Sequence, residues 1–169
     1  LVGSEMCIRD RGNGAVIHFT LLCVGKLKES YLRAAVADYV SRLSKYTKID
    51  IVEVAEDNHP VPAKRIDAEG ASLVKKIVPG SCVIALDLHG RELSSERLAE
   101  YIAEKTVAGN SDFTFVIGGS DGIGAQVTSR ADLRLCLSQM TFPHQLTRLI
   151  LAEQLYRAMK INNGEQYHK

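Results

Sequence analysis

Short apolar runs alternate along the chain with segments of helical spacing, and together they predict the secondary structure. Four of the runs have the length and the apolar content of buried strands. They lie at residues 17–24, 81–86, 113–117 and 133–137. A fifth segment, 49–54, alternates Ile or Val with Asp or Glu, which is typical of a half-exposed strand near a sheet edge.

Between these runs, apolar residues recur at the spacing of amphipathic helices. The pattern predicts helices at about 29–46, around 66–77, from the caps Ser94 and Ser95 to about Ala108, and at 146–161. Because strand and helix alternate throughout, we expect an α/β sandwich with a mostly parallel central sheet. Residues 12–169 contain no linker and no internal repeat, so we expect a single domain.

The first eleven residues differ from the rest of the chain. Leu1–Arg11 reads LVGSEMCIRDR, has no helical or strand period, and precedes a glycine-rich joint at 12–14. The segment resembles the translation of a sequencing-library adapter fused to a gene fragment. We therefore expect it to be non-native and to take no part in the chemistry. A genuine flexible N-terminal arm is the alternative.

The composition is that of an ordinary soluble domain, with 169 residues of which 46% are hydrophobic and 24% charged. No apolar run approaches the roughly 20 residues that cross a bilayer, and we expect a cytoplasmic protein without a membrane partner. The net charge of +1 provides no general positive field for nucleic acid. It is unevenly distributed, however: residues 12–48 and 130–169 are basic, whereas 49–129 are acidic.

The four cysteines have neither the C-x-x-C spacing nor the nearby histidines of a metal or dithiol site. We expect no metal, and we expect these cysteines to be small buried side chains in a reducing compartment. They are Cys7, Cys23, Cys82 and Cys136.

The segment Gly118–Gly124 is the first candidate site, because it directly follows a predicted strand and its backbone can approach a ligand closely. It does not fit the dinucleotide pattern G-x-G-x-x-G, and a phosphate-binding P-loop would need lysine where Ala125 stands. Two further turns, 87–90 and 138–144, follow other predicted strands. We expect the three strand ends to frame one pocket. A tight turn without a ligand is the alternative for the glycine segment.

Several specific motifs occur in a defined order from Phe19 to Lys169. They are LLCVGKLKE at 21–29, ALD at 85–87 with Gly90, FVIGGSDG at 115–122, MTFPHQ at 140–145 with Arg148, EQLYRA at 153–158, and YHK at 167–169. In these motifs the chain resembles the RlmH group of SPOUT methyltransferases.

The resemblance implies an S-adenosylmethionine-dependent enzyme that methylates N3 of a pseudouridine in the 23S rRNA of the assembled ribosome. It also implies a homodimer and a C-terminal trefoil knot around the cofactor, which is an exception to ordinary chain topology. Carried over position by position, the cofactor-binding residues would be Leu86, Gly118, Leu137, Ser138, Gln139, Met140, Thr141 and Phe142. Simple core packing is the alternative role for the apolar members, above all Leu86 and Leu137.

Methyl transfer to a uracil-type N3–H requires removal of a weakly acidic proton. His144 is the candidate base, and a capping or loop-supporting histidine is its alternative. Arg148 would hold phosphate or the developing anion, or else lie on a solvated helix face. Under the resemblance, Tyr167 and His168 close over the active site, with Tyr167 stacking on a base.

The basic ends of the chain then suggest a surface that faces RNA. Its candidate residues are Arg130, Arg134, Arg148, Arg157, Lys160 and Lys169, with Lys26 and Lys28. Two alternatives remain open from the sequence: a non-catalytic nucleotide-binding module that uses the same glycine segment, and a ribosome-associated protein that retains only the fold.

Overall fold

A computed structural model of the chain describes residues 16–167, so Leu1–Arg11 and His168 lie outside the described residues. Five strands form one sheet in the order β2-β1-β4-β3-β5, and all paired strands run parallel. The strands are β1 His18–Val24, β2 Lys48–Val54, β3 Cys82–Glu92, β4 Asp112–Ile117 and β5 Leu133–Cys136. The α/β sandwich and the edge position of residues 49–54 are thereby confirmed.

Helices cover both faces of the sheet, as a parallel sheet requires. They are α1 Ser30–Leu43, α2 Pro62–Val74, α3 Ser95–Val107, α4 Ala125–Thr128 and α5 His144–Asn162. Helices α1, α3 and α5 pack on one face, and α2 with α4 packs on the other. None of the helices within residues 16–167 is long and apolar enough to cross a membrane.

Strand β1 lies inside the sheet and contributes to the core on both faces. Phe19, Leu21 and Cys23 belong to the core beneath α1, α3 and α5, whereas Leu22 and Val24 belong to the core on the α2 side. The alternation follows from the two-residue period of a strand. Since β1 pairs along its length with β2 and β4, it holds both halves of the sheet together.

Three local predictions need correction. The strand expected to end at Leu86 continues to Glu92, because residues 87–90 form a bulge within β3 rather than a terminal turn; both Leu86 and Arg91 pair with Leu135. Helix α4 was missed because four residues are too short to show a period. Helix α5 begins at His144, two residues earlier than expected, and the Pro143 carbonyl accepts the Thr147 N–H at 3.0 Å.

The parallel pairing brings the carboxyl ends of the strands to one edge of the sheet. Gly25 follows β1, Gly118 follows β4 and Leu137 follows β5. Leu86 of β3 pairs with Leu135 near that edge. Parallel α/β sheets bind their ligands at this edge. The trefoil knot implied by the resemblance stays a prediction.

Candidate active site

A cavity of about 720 Å³ opens at the carboxyl edge of the sheet. Three segments line it: residues 86–89 of β3, residues 117–123 after β4, and residues between 135 and 147 that lead from β5 into α5. Its volume lies within the range of roughly 300–1,000 Å³ that is usual for small-molecule sites. The segments selected as strand-end turns therefore meet at one cavity.

Most of the residues predicted for the site line this cavity. They are Leu86, Gly118, Leu137, Ser138, Met140, Thr141, Phe142 and His144. Gln139 lies within the lining segment but is not itself a lining residue, and neither Arg148 nor Tyr167 reaches the cavity. His168 lies outside the described residues.

The glycine segment folds back on itself at the floor of the cavity. The Gly122 N–H donates to the Gly119 carbonyl at 3.1 Å, and Gly122 has a φ of +101°. A side chain at Gly118 would overlap the Gly122 carbonyl oxygen. The turn therefore needs small residues for its own geometry, independently of any ligand.

Helix α2 supports this segment with an ion pair. The Arg65 guanidinium donates to both carboxylate oxygens of Asp121, at 2.7 and 3.0 Å. These hydrogen bonds hold the pKa of the Asp121 carboxyl below its usual value. Arg65 also donates to the carbonyl oxygens of His59 and Pro60, and it thus connects the loop before α2 to the glycine segment.

Glu69, on the same helix, is buried beneath the glycine segment at 6% exposure. One carboxylate oxygen accepts the Asp57 N–H at 3.1 Å, whereas Oε2 is buried and has no hydrogen-bond partner. A Cβ at Gly119 would lie 2.8 Å from Oε2. Burial raises the pKa of Glu69, and the backbone hydrogen bond from Asp57 opposes that rise.

The bulge in β3 forms another wall of the cavity. Asp87 accepts hydrogen bonds from Arg134 Nε at 2.8 Å and from the His89 N–H at 2.9 Å, and Arg134 Nη2 lies 2.6 Å from the same carboxylate oxygen as Nε. A Cβ at Gly90 would lie 2.5 Å from the Arg134 carbonyl oxygen, so this close approach requires glycine. The bulge therefore turns a carboxylate toward the cavity and pairs it with a cation from the neighbouring strand.

His144 is the first residue of α5 and lies at the edge of the cavity. Its Nε2 atom lies 3.3 Å from Glu56 Oε1, within ion-pair distance but without hydrogen-bond geometry. The next residue, Gln145, accepts the Lys28 N–H through its side-chain oxygen at 3.2 Å. The start of α5 is thus in contact with the loops that follow β1 and β2.

Arg148 lies one turn further along α5 and is only 2% exposed. Its guanidinium donates to Glu53 Oε2 at 2.8 Å and to the Gly25 carbonyl at 3.0 Å. The solvated helix face considered for this residue is therefore wrong. For the same reason, Arg148 cannot belong to an RNA-facing surface of this protomer. It fastens the start of α5 to the ends of β1 and β2.

Tyr167 packs against the second half of α5. Its hydroxyl donates to Glu153 Oε1 at 2.9 Å, and its ring lies 4.1 Å from the Arg157 guanidinium carbon. Arg157 itself donates to Glu153, and Tyr156 contacts the Tyr167 ring edge-on. The tail up to Tyr167 is therefore held away from the cavity of its own protomer.

Within residues 16–167 no group of three or more His, Cys, Asp or Glu side chains is arranged to hold a metal ion. Cys23, Cys82 and Cys136 are buried and free, as expected, whereas Cys7 lies outside the described residues. Burial raises the pKa of Cys23 to about 11, so this thiol is a packing residue and not a nucleophile.

Sequence reasoning missed Glu56, Arg65 and Glu69. One signal was present for Glu69: it shares the apolar spacing of α2 with Ile66 and Leu73, where a carboxylate is unexpected. Nothing in the sequence links Glu56 to His144, which is 88 positions further along the chain. Their proximity arises from the pairing of β1 with β2 and from the placement of α5.

The all-parallel sheet and the ligand-sized cavity at its carboxyl edge are typical of α/β proteins that bind a small organic ligand at their strand ends. Residues 17–168 match the family described as "Predicted SPOUT methyltransferase". The ribosomal RNA large subunit methyltransferase H of Carboxydothermus hydrogenoformans is 49% identical over 159 residues, which cover 90% of this chain and 100% of the relative. The protein of that name from Alkaliphilus oremlandii is 46% identical with the same coverage.

The chain therefore belongs to the SPOUT methyltransferase family and, within it, to the RlmH group. A solved structure of a probable methylase family protein from Haemophilus influenzae Rd KW20 aligns with a TM-score of 0.51 and 15% identity, covering 90% of this chain and 70% of the other. This likeness supports the fold alone.

Proposed function

We propose that this protein transfers the methyl group of S-adenosylmethionine to N3 of a pseudouridine in 23S rRNA, within the assembled ribosome. The observation that carries the proposal is the cavity at the sheet edge, with His144 at its rim, in a chain of this family. Two relatives aligned over their full length bear the name of a large-subunit rRNA methyltransferase. Membership in that family favours a catalytic role over a non-catalytic nucleotide-binding module.

The lining residues fit the cofactor. Leu86, Leu137 and Phe142 offer apolar walls for an adenine ring, and the Gly118 backbone allows close approach. Asp87 and Asp121 border the same cavity, and each carboxylate is paired with an arginine, Arg134 and Arg65 respectively. When bound, S-adenosylmethionine supplies an electrophilic methyl group on a sulfonium.

The loop after β5 is held in shape without a ligand. The Cys136 thiol donates to the Ser138 carbonyl at 3.1 Å, and the Ser138 hydroxyl accepts the Met140 N–H at 3.0 Å. This local bonding turns the Met140 side chain outward, where it is 74% exposed. A preorganised loop orients its ligand at a lower entropic cost, and orientation contributes most of the rate in a direct displacement.

The protein must also remove the N3 proton of the substrate base. In the proposed function His144 accepts that proton at the edge of the cavity. Arg148 holds the start of α5 and so keeps the imidazole at a constant position relative to the carboxyl ends of β1 and β2. Arg148 thus serves as a positioning residue, whereas the sequence had suggested direct contact with phosphate.

We further propose a homodimer in which the tail of one protomer, with Tyr167 and His168, closes the cavity of the other. The Tyr167 hydroxyl donates a hydrogen bond to Glu153. Glu153 lies nine residues beyond His144 on α5, a separation of roughly 13 Å along the helix axis. The mouth of the cavity also exposes Leu88 and Met140, at 57% and 74%. Exposed apolar side chains at a ligand site favour coverage by a partner.

The test is methyl transfer from labelled S-adenosylmethionine to assembled ribosomes, with mass spectrometry of the 23S rRNA to locate the methyl group. We expect one N3-methylated pseudouridine in ribosomes and much slower modification of protein-free 23S rRNA, because the weak net charge favours a shaped target. Equal rates on both substrates would refute the ribosome requirement, and no methylation of either would refute the activity.

Calorimetry supplies a second test that needs no RNA. The protein should bind S-adenosylmethionine in preference to ATP and FMN. A preference for either nucleotide would instead support the nucleotide-binding module.

A further inference from the structure

The imidazole of His144 has two very different nitrogen environments. Its side chain is 19% exposed, but Nε2 is buried and has no hydrogen-bond partner. The exposed part of the ring therefore lies at its other atoms. A carboxylate oxygen, Oε1 of Glu56, lies 3.3 Å from Nε2. A carboxylate at this distance favours the form in which Nε2 carries a proton.

The Glu56 carboxylate is held in place by contacts that need no ligand. Gly25 lacks a side chain and has a φ of +79°, and a Cβ there would lie 2.7 Å from Glu56 Oε1. Lys28 Nζ lies 3.7 Å from the other carboxylate oxygen. The next residue, Asp57, is anchored by its N–H to the buried carboxylate of Glu69. The loop that carries Glu56 is therefore fixed on two sides.

We propose that Glu56 is a positioning residue for the methyl transfer: its carboxylate keeps the proton of neutral His144 on Nε2 and leaves the Nδ1 lone pair as the proton acceptor. This inference rests on the proposed function, in which His144 is the base. In the resting protein this contact lies at 3.3 Å without hydrogen-bond geometry, and catalytic hydrogen bonds often become aligned only when substrate binds.

The proposed reaction consists of one proton transfer and one exchange of bonds at the methyl group. The N3–H proton moves to His144 Nδ1, and the N3 electron pair forms the new N–C bond to the methyl group. The bonding pair of the former C–S bond stays on sulfur. His144 becomes an imidazolium with Glu56 beside it, so the charge formed on the ring faces a carboxylate.

The tautomer can be measured on the free protein. In protein labelled with 15N at histidine, the ring nitrogen shifts report which nitrogen holds the proton, at a pH where the ring is neutral. The His144→Ala variant assigns the signal among the five histidines. We expect the wild-type ring to carry its proton on Nε2, and we expect Glu56→Ala, which removes the carboxylate oxygen opposite Nε2, to shift the ring to a mixture of tautomers. The control Glu104→Ala, which removes an exposed carboxylate on α3, should leave the signal unchanged.

A wild-type ring protonated on Nδ1, or a Glu56→Ala ring with the same tautomer as the wild type, would overturn the proposal. This readout is independent of catalysis. If the protein failed to methylate ribosomes, the proposed function would fall, while the tautomer measurement would still decide whether Glu56 orients His144.

The kinetic test separates positioning from mere structural support. Glu56→Gln should lower kcat by about 10-fold or more, with the KM for S-adenosylmethionine unchanged, and Glu56→Asp should recover part of the loss. In the His144→Ala background, Glu56→Gln should cause no further loss, because the two residues act as one unit. Losses that multiply, or an effect on KM alone, would contradict the proposal.

Discussion

At the scale of single residues, the site depends on two ionisable side chains that the fold buries. Arg148 and Glu69 are 2% and 6% exposed, and each has one buried polar atom without a partner, Nε and Oε2 respectively. Burying such groups costs free energy unless they are paired. The other polar atoms of both side chains form hydrogen bonds to backbone or side-chain groups beneath the cavity. These hydrogen bonds offset part of the free-energy cost of burial and make the site rigid.

Replacing Arg148 by methionine should reduce the free energy of unfolding by about 2 kcal/mol. Loss of one partner of a buried pair costs about 3–5 kcal/mol, and the 33% exposure of the Glu53 side chain lowers that value because water can solvate the abandoned carboxylate. Urea unfolding measures the change. Arg97→Met, which removes an exposed pair with Glu100, is the matched control and should have a much smaller effect. Equal losses in the two variants would contradict the argument.

Glu69→Gln should make the protein more stable at neutral pH and have no such effect in acid. The pKa of Glu69 is raised by burial, so the folded state holds its proton more tightly than the unfolded chain does. Stability therefore falls as the pH rises from the unfolded value near 4.5 through the folded value. Glutamine can still accept the Asp57 N–H and carries no charge.

The measurement for Glu69→Gln is urea unfolding of both proteins between pH 4 and pH 7.5. The gain in stability should be full above the folded pKa and should vanish as the pH falls toward the unfolded value. A difference that stayed constant with pH would show that desolvation of the Glu69 carboxylate is not its cause.

At the scale of elements, the cavity is formed by irregular segments supported by regular ones. The glycine segment 118–124 is supported by Arg65 and Glu69 of α2, and the bulge in β3 is supported by Arg134 of β5. Each of these two segments therefore has a charged side chain from a helix or strand beneath it. This arrangement gives loops the rigidity that a binding site requires.

Gly118→Ala should abolish S-adenosylmethionine binding, whereas Gly70→Ala should not. A methyl group at Gly118 would overlap the Gly122 carbonyl oxygen and force the turn open. Gly70 lies inside α2, where a methyl group would make only ordinary contacts at 3.8 Å, so alanine should stabilise the protein by about 0.5–1 kcal/mol. Calorimetry with the cofactor and thermal unfolding measure the two effects. Normal binding by Gly118→Ala would exclude the turn from the cofactor site.

At the scale of the whole molecule, the uneven charge along the chain acquires a more specific meaning. Of the basic residues considered for an RNA surface, Arg148 is buried and Arg157 pairs with Glu153 beside Tyr167. Arg134 pairs with Asp87 but its side chain remains 46% exposed. Some of these basic residues therefore form internal contacts: Arg134 pairs with a residue of the cavity wall, and Arg157 contacts Tyr167 of the tail.

A mixture of two inactive variants should recover methyl transfer if the tail acts between protomers. His144→Ala lacks the base and Tyr167→Ala lacks the tail aromatic ring, but a mixed dimer contains one cavity with an intact His144 and an intact Tyr167 from its partner. We expect partial recovery after subunit exchange. The control is a mixture of His144→Ala with the double variant His144→Ala/Tyr167→Ala. This mixture should stay inactive, because none of its cavities contains His144. No recovery in the first mixture would mean that each tail serves its own cavity.

The sequence by itself determined the order of the strands and of the four long helices, the edge position of β2, and the three segments that meet at the cavity. These features follow from periodicity and from the rule that parallel strands end at one edge. Ser94 was also predicted as a cap, and its hydroxyl accepts the Arg97 N–H at 3.1 Å. Local signals of this kind need no knowledge of distant residues.

Only the tertiary structure decided the roles of the charged residues. Arg148 was expected in contact with substrate or solvent, yet it lies beneath the site, because its partners are Glu53 in β2 and Gly25 just after β1, 95 and 123 positions away in the chain. The bulge of β3 depends on its pairing with β5, and the partner of His144 depends on where α5 rests. Burial and ion pairing are long-range properties, so the same arginine or glutamate in a helical pattern can be a solvated side chain or the support of an active site.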